Sequence, residues 1–136
     1  MKGLCVLILL GLLAGCTPSS PKKQPRHFGW VTGLKPEKAA YYKQLHSQPW
    51  PGVNKMLKES RIQNFSIHLK EIEGKQYLFA YLEYTGDDFD ADMKKLAADP
   101  ETQRWWKETD SCQSPLPEAA AKGKIWADME EVYYLE

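Results

Sequence analysis

This chain of 136 residues has few of the residues that usually announce a mechanism. It holds three cysteines and three histidines, and no two of them stand at the close spacing that zinc or iron–sulfur sites need. There is no Gly-rich phosphate loop, no Walker pattern and no Gly-x-Ser-x-Gly elbow, which argues against nucleotide-handling and serine-hydrolase chemistry. Basic and acidic residues are equal at 18 each, so no surplus of positive charge is available to hold a nucleic acid. The apolar run Leu4–Leu13 ("LCVLILLGLL") is about half the length of ~20 residues that a membrane-crossing helix requires.

That short run has a different use. It follows Met1-Lys2-Gly3 and ends at Leu13-Ala14-Gly15-Cys16, the layout of a secretory signal with small residues before the cut. "LAGC" resembles the lipobox of bacterial lipoproteins, in which cleavage precedes a cysteine that then carries lipid. Residues 1–15 are therefore expected to be a signal peptide and Cys16 the lipidation site. Residues 16–26, with "TPSSPKKQPR", read as a tether that can bury no core. The protein would sit in a bacterial cell envelope, touch a membrane through its anchor alone and face the extracytoplasmic side. Cys112 is then the one thiol of the domain, so no internal disulfide forms, and "TDSCQSPLPEAA" reads as a polar loop around it.

The remaining stretch, 27–136, suits one domain with one core. It carries all the aromatic residues of the chain: five Trp, seven Tyr and four Phe. A core of this size needs about half of them, which leaves aromatic surface for a ligand site.

Hydrophobic patterning gives the element order. "HFGWVTGL" (27–34) is a strand, and Pro36 starts a helix running to His46. Pro49 and Pro51 break that helix, and it resumes over 52–59. "IQNFSIHL" (62–69) alternates, with Ile62, Asn64, Ser66 and His68 on one face and Phe65, Ile67 and Leu69 on the other. Gly74 marks a hairpin turn before "QYLFAYLEY" (76–84). A helix over 87–99 follows, then a further turn or two of helix from Pro100, a loop, and a closing strand "MEEVYYL" (129–135). The order β-α-β-β-α-β predicts an α+β, ferredoxin-like sandwich whose sheet has one uncovered face. Pairing two such faces gives a homodimer, a dimeric α/β-barrel.

Of the histidines, His27 reads as solvated at the tether junction and His68 as a polar-face residue of its strand. His46 lies four residues after Tyr42 on one helix face, just before the proline break. It serves there either as an acid–base group leaning into a pocket or as a cap on the helix end. Trp105-Trp106 offers a similar choice between two core rings and one ring that edges a cavity, because neighbours on a helix point about 100° apart.

Together, "LKPEKAAYYKQLHSQPWPGV", Asn64-Phe65-Ser66-Ile67, "DPETQRWWK" and "EEVYYL" resemble the L-rhamnose mutarotase family. The resemblance implies a dimeric α/β-barrel that interconverts the α and β anomers of a monosaccharide, L-rhamnose or a related deoxy-hexose, without metal or organic cofactor. It further implies His46 as the acid–base group and Tyr42, Trp105 and Trp106 as sugar contacts. Phe65 stands where the family carries a substrate-contacting tyrosine, so one hydroxyl partner is absent. A sugar-binding lipoprotein without turnover is the alternative that Phe65 favours. A monooxygenase on the same fold has no residue to recommend it.

Overall fold

The computed structural model describes residues 24–135; the expected signal peptide, Cys16 and most of the tether lie outside them. Strand β1 (Arg26–Leu34) opens on the last residue of the expected tether. Pro36 starts a single 3-10 turn (Pro36–Lys38) that leads into α1 (Ala39–Ser47). Helix α1 stops where Gln48, the residue before Pro49, adopts φ −135° and ψ 65°, since a residue preceding proline is sterically kept from helical geometry. Pro51 then takes the first position of α2 (Pro51–Glu59), where its missing N–H leaves nothing unpaired.

Strands β2 (Ile62–Ile72) and β3 (Lys75–Tyr84) are joined by Glu73 (φ 50°) and Gly74 (φ 74°). Two left-handed residues in a two-residue loop match the twist of the flanking strands, which is why glycine is useful here. Helix α3 (Phe89–Ala98) is capped by the Asp88 carboxylate, which accepts from the Ala91 N–H at 3.0 Å. Helix α4 (Pro100–Cys112) is capped the same way by Asp99, accepting from the Thr102 N–H at 2.8 Å. The chain ends with β4 (Gln113–Ser114), the short α5 (Pro117–Ala120) and β5 (Ala127–Met129).

All pairings are antiparallel, in the order β2-β3-β1, with β4 and β5 sharing the outer edge of β1. This is the ferredoxin-like order expected from the sequence. Alternation sends Leu78, Ala80, Leu82 and Tyr84 of β3 towards the helices, where all four are buried. One core cluster joins Leu34, Ala39, Tyr42, Leu78 and Cys112. A second joins Ile62, Leu82 and Leu96, with Phe28, Trp30, Met56, Leu57 and Met93 packed on it. The opposite face presents Tyr77, Phe79, Tyr81 and Glu83, as read from the alternation of β3.

Four expectations need correction. The alternation of β2 breaks at a bulge between Gln63 and Ser66, where Asn64 sits at φ 49°. Ile62 and Ile67 therefore share the core face, pairing with Tyr84 and Ala80, while Gln63 pairs with Glu83 on the other side. The edge strand is Ala127–Met129 rather than 129–135, and Val132 beyond it is 90% exposed. Cys112 is the last residue of α4, fully buried at 0% exposure, its thiol directed at the Glu108 carbonyl oxygen. Finally, His27 is not solvated. Its Nδ1 lies 3.0 Å from Glu131 Oε2, its ring packs on Tyr134, and its Nε2 is buried without a partner.

Candidate active site

Between the helices and the core face of the sheet lie two adjoining cavities of about 490 and 510 Å³, within the size range of small-ligand sites. Both are lined by Tyr42, His46, Phe65 and Trp105. The first lies under α1 and α2; the second runs on beneath α4 to Trp106, Asp110 and Trp126.

The proline break decides where His46 points. Its Nδ1 is 2.9 Å from the Tyr42 carbonyl oxygen, one turn back. A carbonyl only accepts, so Nδ1 carries the hydrogen and donates it, and Nε2 keeps its lone pair. The ring packs on Tyr42 (centroids 4.2 Å apart) and meets Trp105 edge-on at 5.2 Å. Burial among these rings pulls the imidazole below its ordinary pKa, and the hydrogen bond to Tyr42 only partly opposes that. At neutral pH His46 is thus a neutral base held in one tautomer.

Tyr42 is buried, and its phenol is pushed well above the usual tyrosine range, first by desolvation and then by the nearby Cys112 and Asp110. It stays protonated and can donate a hydrogen bond, but it cannot serve as a base near neutrality. The tryptophan pair divides its work. Trp105 is 7% exposed and wedged edge-on between His46 and Trp50, the latter at 5.4 Å. Trp106 is 38% exposed and borders only the second cavity. Phe65, 40% exposed on the bulged strand, offers an apolar face to both cavities and no hydroxyl.

The structure thus brings Tyr42, His46, Phe65, Trp105 and Trp106 around one space, while Cys16 lies outside the described residues. Two contributors were not singled out from the sequence. Trp50, the residue between the two prolines, buttresses Trp105. Asp110 lies one helical turn after Trp106, a spacing that marks a shared face and could have revealed it. Among the described residues no cluster of His, Cys, Asp or Glu is arranged to hold a metal ion, and no helix is long and apolar enough to cross a membrane.

The fold has solved counterparts. The crystal structure of L-rhamnose mutarotase FA22100 from Formosa agariphila superposes with a TM-score of 0.61 at 24% identity, covering 82% of this chain and 99% of that one. Tetracenomycin F2 cyclase from Streptomyces glaucescens, a type-II polyketide cyclase, reaches 0.54 at 12% identity over the same shares. The two chemistries differ, so the architecture alone does not decide function. Sequence does: residues 27–135 match the model of the L-rhamnose mutarotase family. The L-rhamnose mutarotase of Bacillus subtilis is 34% identical over 101 residues, which is 74% of this chain and 88% of that protein. The one from Shouchella clausii is 33% identical over 108 residues, 77% and 95% of the two chains. This chain belongs to the L-rhamnose mutarotase family.

Proposed function

We propose that this protein is an aldose 1-epimerase, interconverting the α and β anomers of L-rhamnose or a closely related deoxy-hexose at the cell envelope. The observation that carries the reading is His46: a single-tautomer imidazole with Nε2 free, set among Tyr42 and Trp105 on the wall of a sugar-sized cavity. Mutarotation needs a proton taken from the anomeric hydroxyl and one supplied to the ring oxygen, so that the ring opens to the aldehyde and recloses on either face. A neutral histidine with an open lone pair can take such a proton and return it. Tyr42 orients the sugar by donating a hydrogen bond, and the tryptophans offer rings on which its C–H faces pack. Phe65, Val53 and Leu57 make one wall apolar, which suits the methyl group of a 6-deoxy sugar better than a hydroxymethyl.

Exchange spectroscopy on the anomeric NMR signals tests this directly. With the full chain in detergent micelles, L-rhamnose signals should exchange faster than in buffer, and faster than those of its 6-hydroxy counterpart, L-mannose. Binding without exchange would leave a sugar-binding lipoprotein instead.

Cys16 and the leader before it support anchoring by lipid to an envelope membrane, and the uncovered sheet face supports a homodimer. The wild-type protein should accordingly enter the detergent phase on phase separation. Recovery in the aqueous phase would remove the anchor from this reading.

A further inference from the structure

The mutarotase reading leaves one proton unassigned. His46 can act at one of the two sugar oxygens, and Tyr42, held protonated, is not available as the partner that must gain and lose a proton at the other. A group is needed that shares the cavity, titrates, and is not occupied elsewhere.

Asp110 meets all three conditions. It lies on α4 one turn beyond Trp106, so the two side chains share a helix face, and both border the cavity that His46 and Tyr42 border from α1. It is half-buried, and among the described residues no hydrogen bond or ion pair engages its carboxylate. Four other acids of the fold are engaged: Asp99 caps α4, Asp88 caps α3, Asp92 accepts from Tyr84, and Glu83 accepts from Gln63, Asn64 and Tyr81. Its charge is close enough to Tyr42 to contribute to that phenol's shift. The other ionisable groups on this cavity are Lys124 and Asp128, which pair with each other at 3.6 Å.

Resting on the mutarotase reading, we propose that Asp110 is the second catalytic residue, handling the proton at the ring oxygen while neutral His46 handles the one at the anomeric hydroxyl. Opening begins with neutral His46 and the Asp110 carboxylic acid. Nε2 takes the proton from O1 as the C1–O5 bond breaks, and Asp110 supplies a proton to O5. The O1–H electron pair becomes the carbonyl π bond, and the C1–O5 pair leaves on O5 and collects the proton from Asp110. After rotation about C1–C2, O5 attacks the other carbonyl face. Asp110 recovers its proton from O5, imidazolium returns its own to O1, and both groups are restored. Burial agrees in direction, since desolvation raises the Asp110 carboxyl above the usual aspartate range.

The test compares Asp110→Asn, Asp110→Ser and Asp110→Glu in the full chain, with anomer exchange of L-rhamnose, sugar titration and a thermal melt measured for each. The wild-type rate should be bell-shaped in pH, because one of the two groups must start deprotonated and the other protonated. Asparagine and serine should lower the exchange rate about 10²-fold or more and abolish one of the two limbs. Sugar affinity and the melt should change little, and glutamate should restore part of the rate. The proposal is overturned if asparagine and serine keep the wild-type rate and pH profile, or if affinity collapses in step with the rate. In both cases a wild type that exchanges anomers leaves the mutarotase reading standing. A wild type that exchanges none overturns that reading and this proposal together.

Discussion

The proposed mechanism rests on His46, and the environment of that ring fixes the direction of its pH response. Desolvation lowers its pKa in the fold while the unfolded chain keeps the ordinary value of about 6.5. Below that value the unfolded state binds more protons, so the contribution of neutral His46 to stability is full above it. That contribution is lost as pH falls through the lower, folded pKa. Activity should share this acid limb, with a midpoint below 6.5 rather than at it, because imidazolium cannot accept a proton from the sugar. Replacing His46 with alanine should cost about 10²–10⁴-fold in anomer exchange, with sugar binding reduced far less because the tryptophan faces remain. Exchange NMR across pH 4.5–8 checks both halves. An alanine variant that is equally folded and exchanges at the wild-type rate would reduce His46 to a helix cap.

At the scale of elements, the bulge in β2 does for Phe65 what the proline break does for His46: it aims a side chain that regular geometry would send elsewhere. Asn64 occupies the left-handed region, and its Nδ2 donates to Glu83 Oε2 at 2.9 Å, beside the 2.9 Å bond from Gln63 Nε2. Asparagine tolerates that backbone, whereas a β-branched residue does not. Asn64→Val should therefore destabilise the domain by about 1–3 kcal/mol, from backbone strain and a lost bond to a buried carboxylate. Asn64→Gly should cost less, and urea denaturation of both variants would show the order. The same region marks where sequence reading stops. Helix starts at Pro36 and Pro51, the Gly74 turn, the three long strands and the main helices follow local rules, so they were legible. A bulge depends on the hydrogen-bond ladder with β3, which no local pattern encodes, and strict alternation misplaced Ile62 as a result. The closing strand failed for a related reason: "EEVYYL" has strand-forming residues, but the edge of β1 is already occupied by Gln113–Ser114 and Ala127–Met129. His46 and Tyr42 were singled out by helical spacing and by resemblance, and Trp105 by resemblance and the rarity of a tryptophan pair. Asp110 was not singled out because a lone acid near the end of a helix looks solvated until the cavity beside it is seen.

For the whole molecule, the sheet face away from the cavity sets the next expectation. Val31, Phe79 and Tyr81 lie across β1 and β3 there, only partly buried, and Tyr134 packs on His27 at its margin. The Glu83 carboxylate on this face accepts from Gln63, Asn64 and Tyr81, so its charge is held by fixed donors. Those bonds, with Gln63 foremost, keep its pKa below the usual glutamate range, although burial alone would raise it. A face of aromatic rings around a satisfied carboxylate suits contact with an identical face, and a two-fold pairing would place Phe79 near the centre of the contact. Light scattering on the detergent-solubilised protein should thus give the mass of two chains. Phe79→Asp, which puts an unpaired charge at that centre, should shift it to one, because burying a lone carboxylate costs several kcal/mol. The cavity lies on the other side of the sheet, so the monomeric variant should keep its anomer exchange within a few-fold. A single-chain mass for the wild type would remove the dimer. A Phe79→Asp protein that stays dimeric would move the interface to another surface.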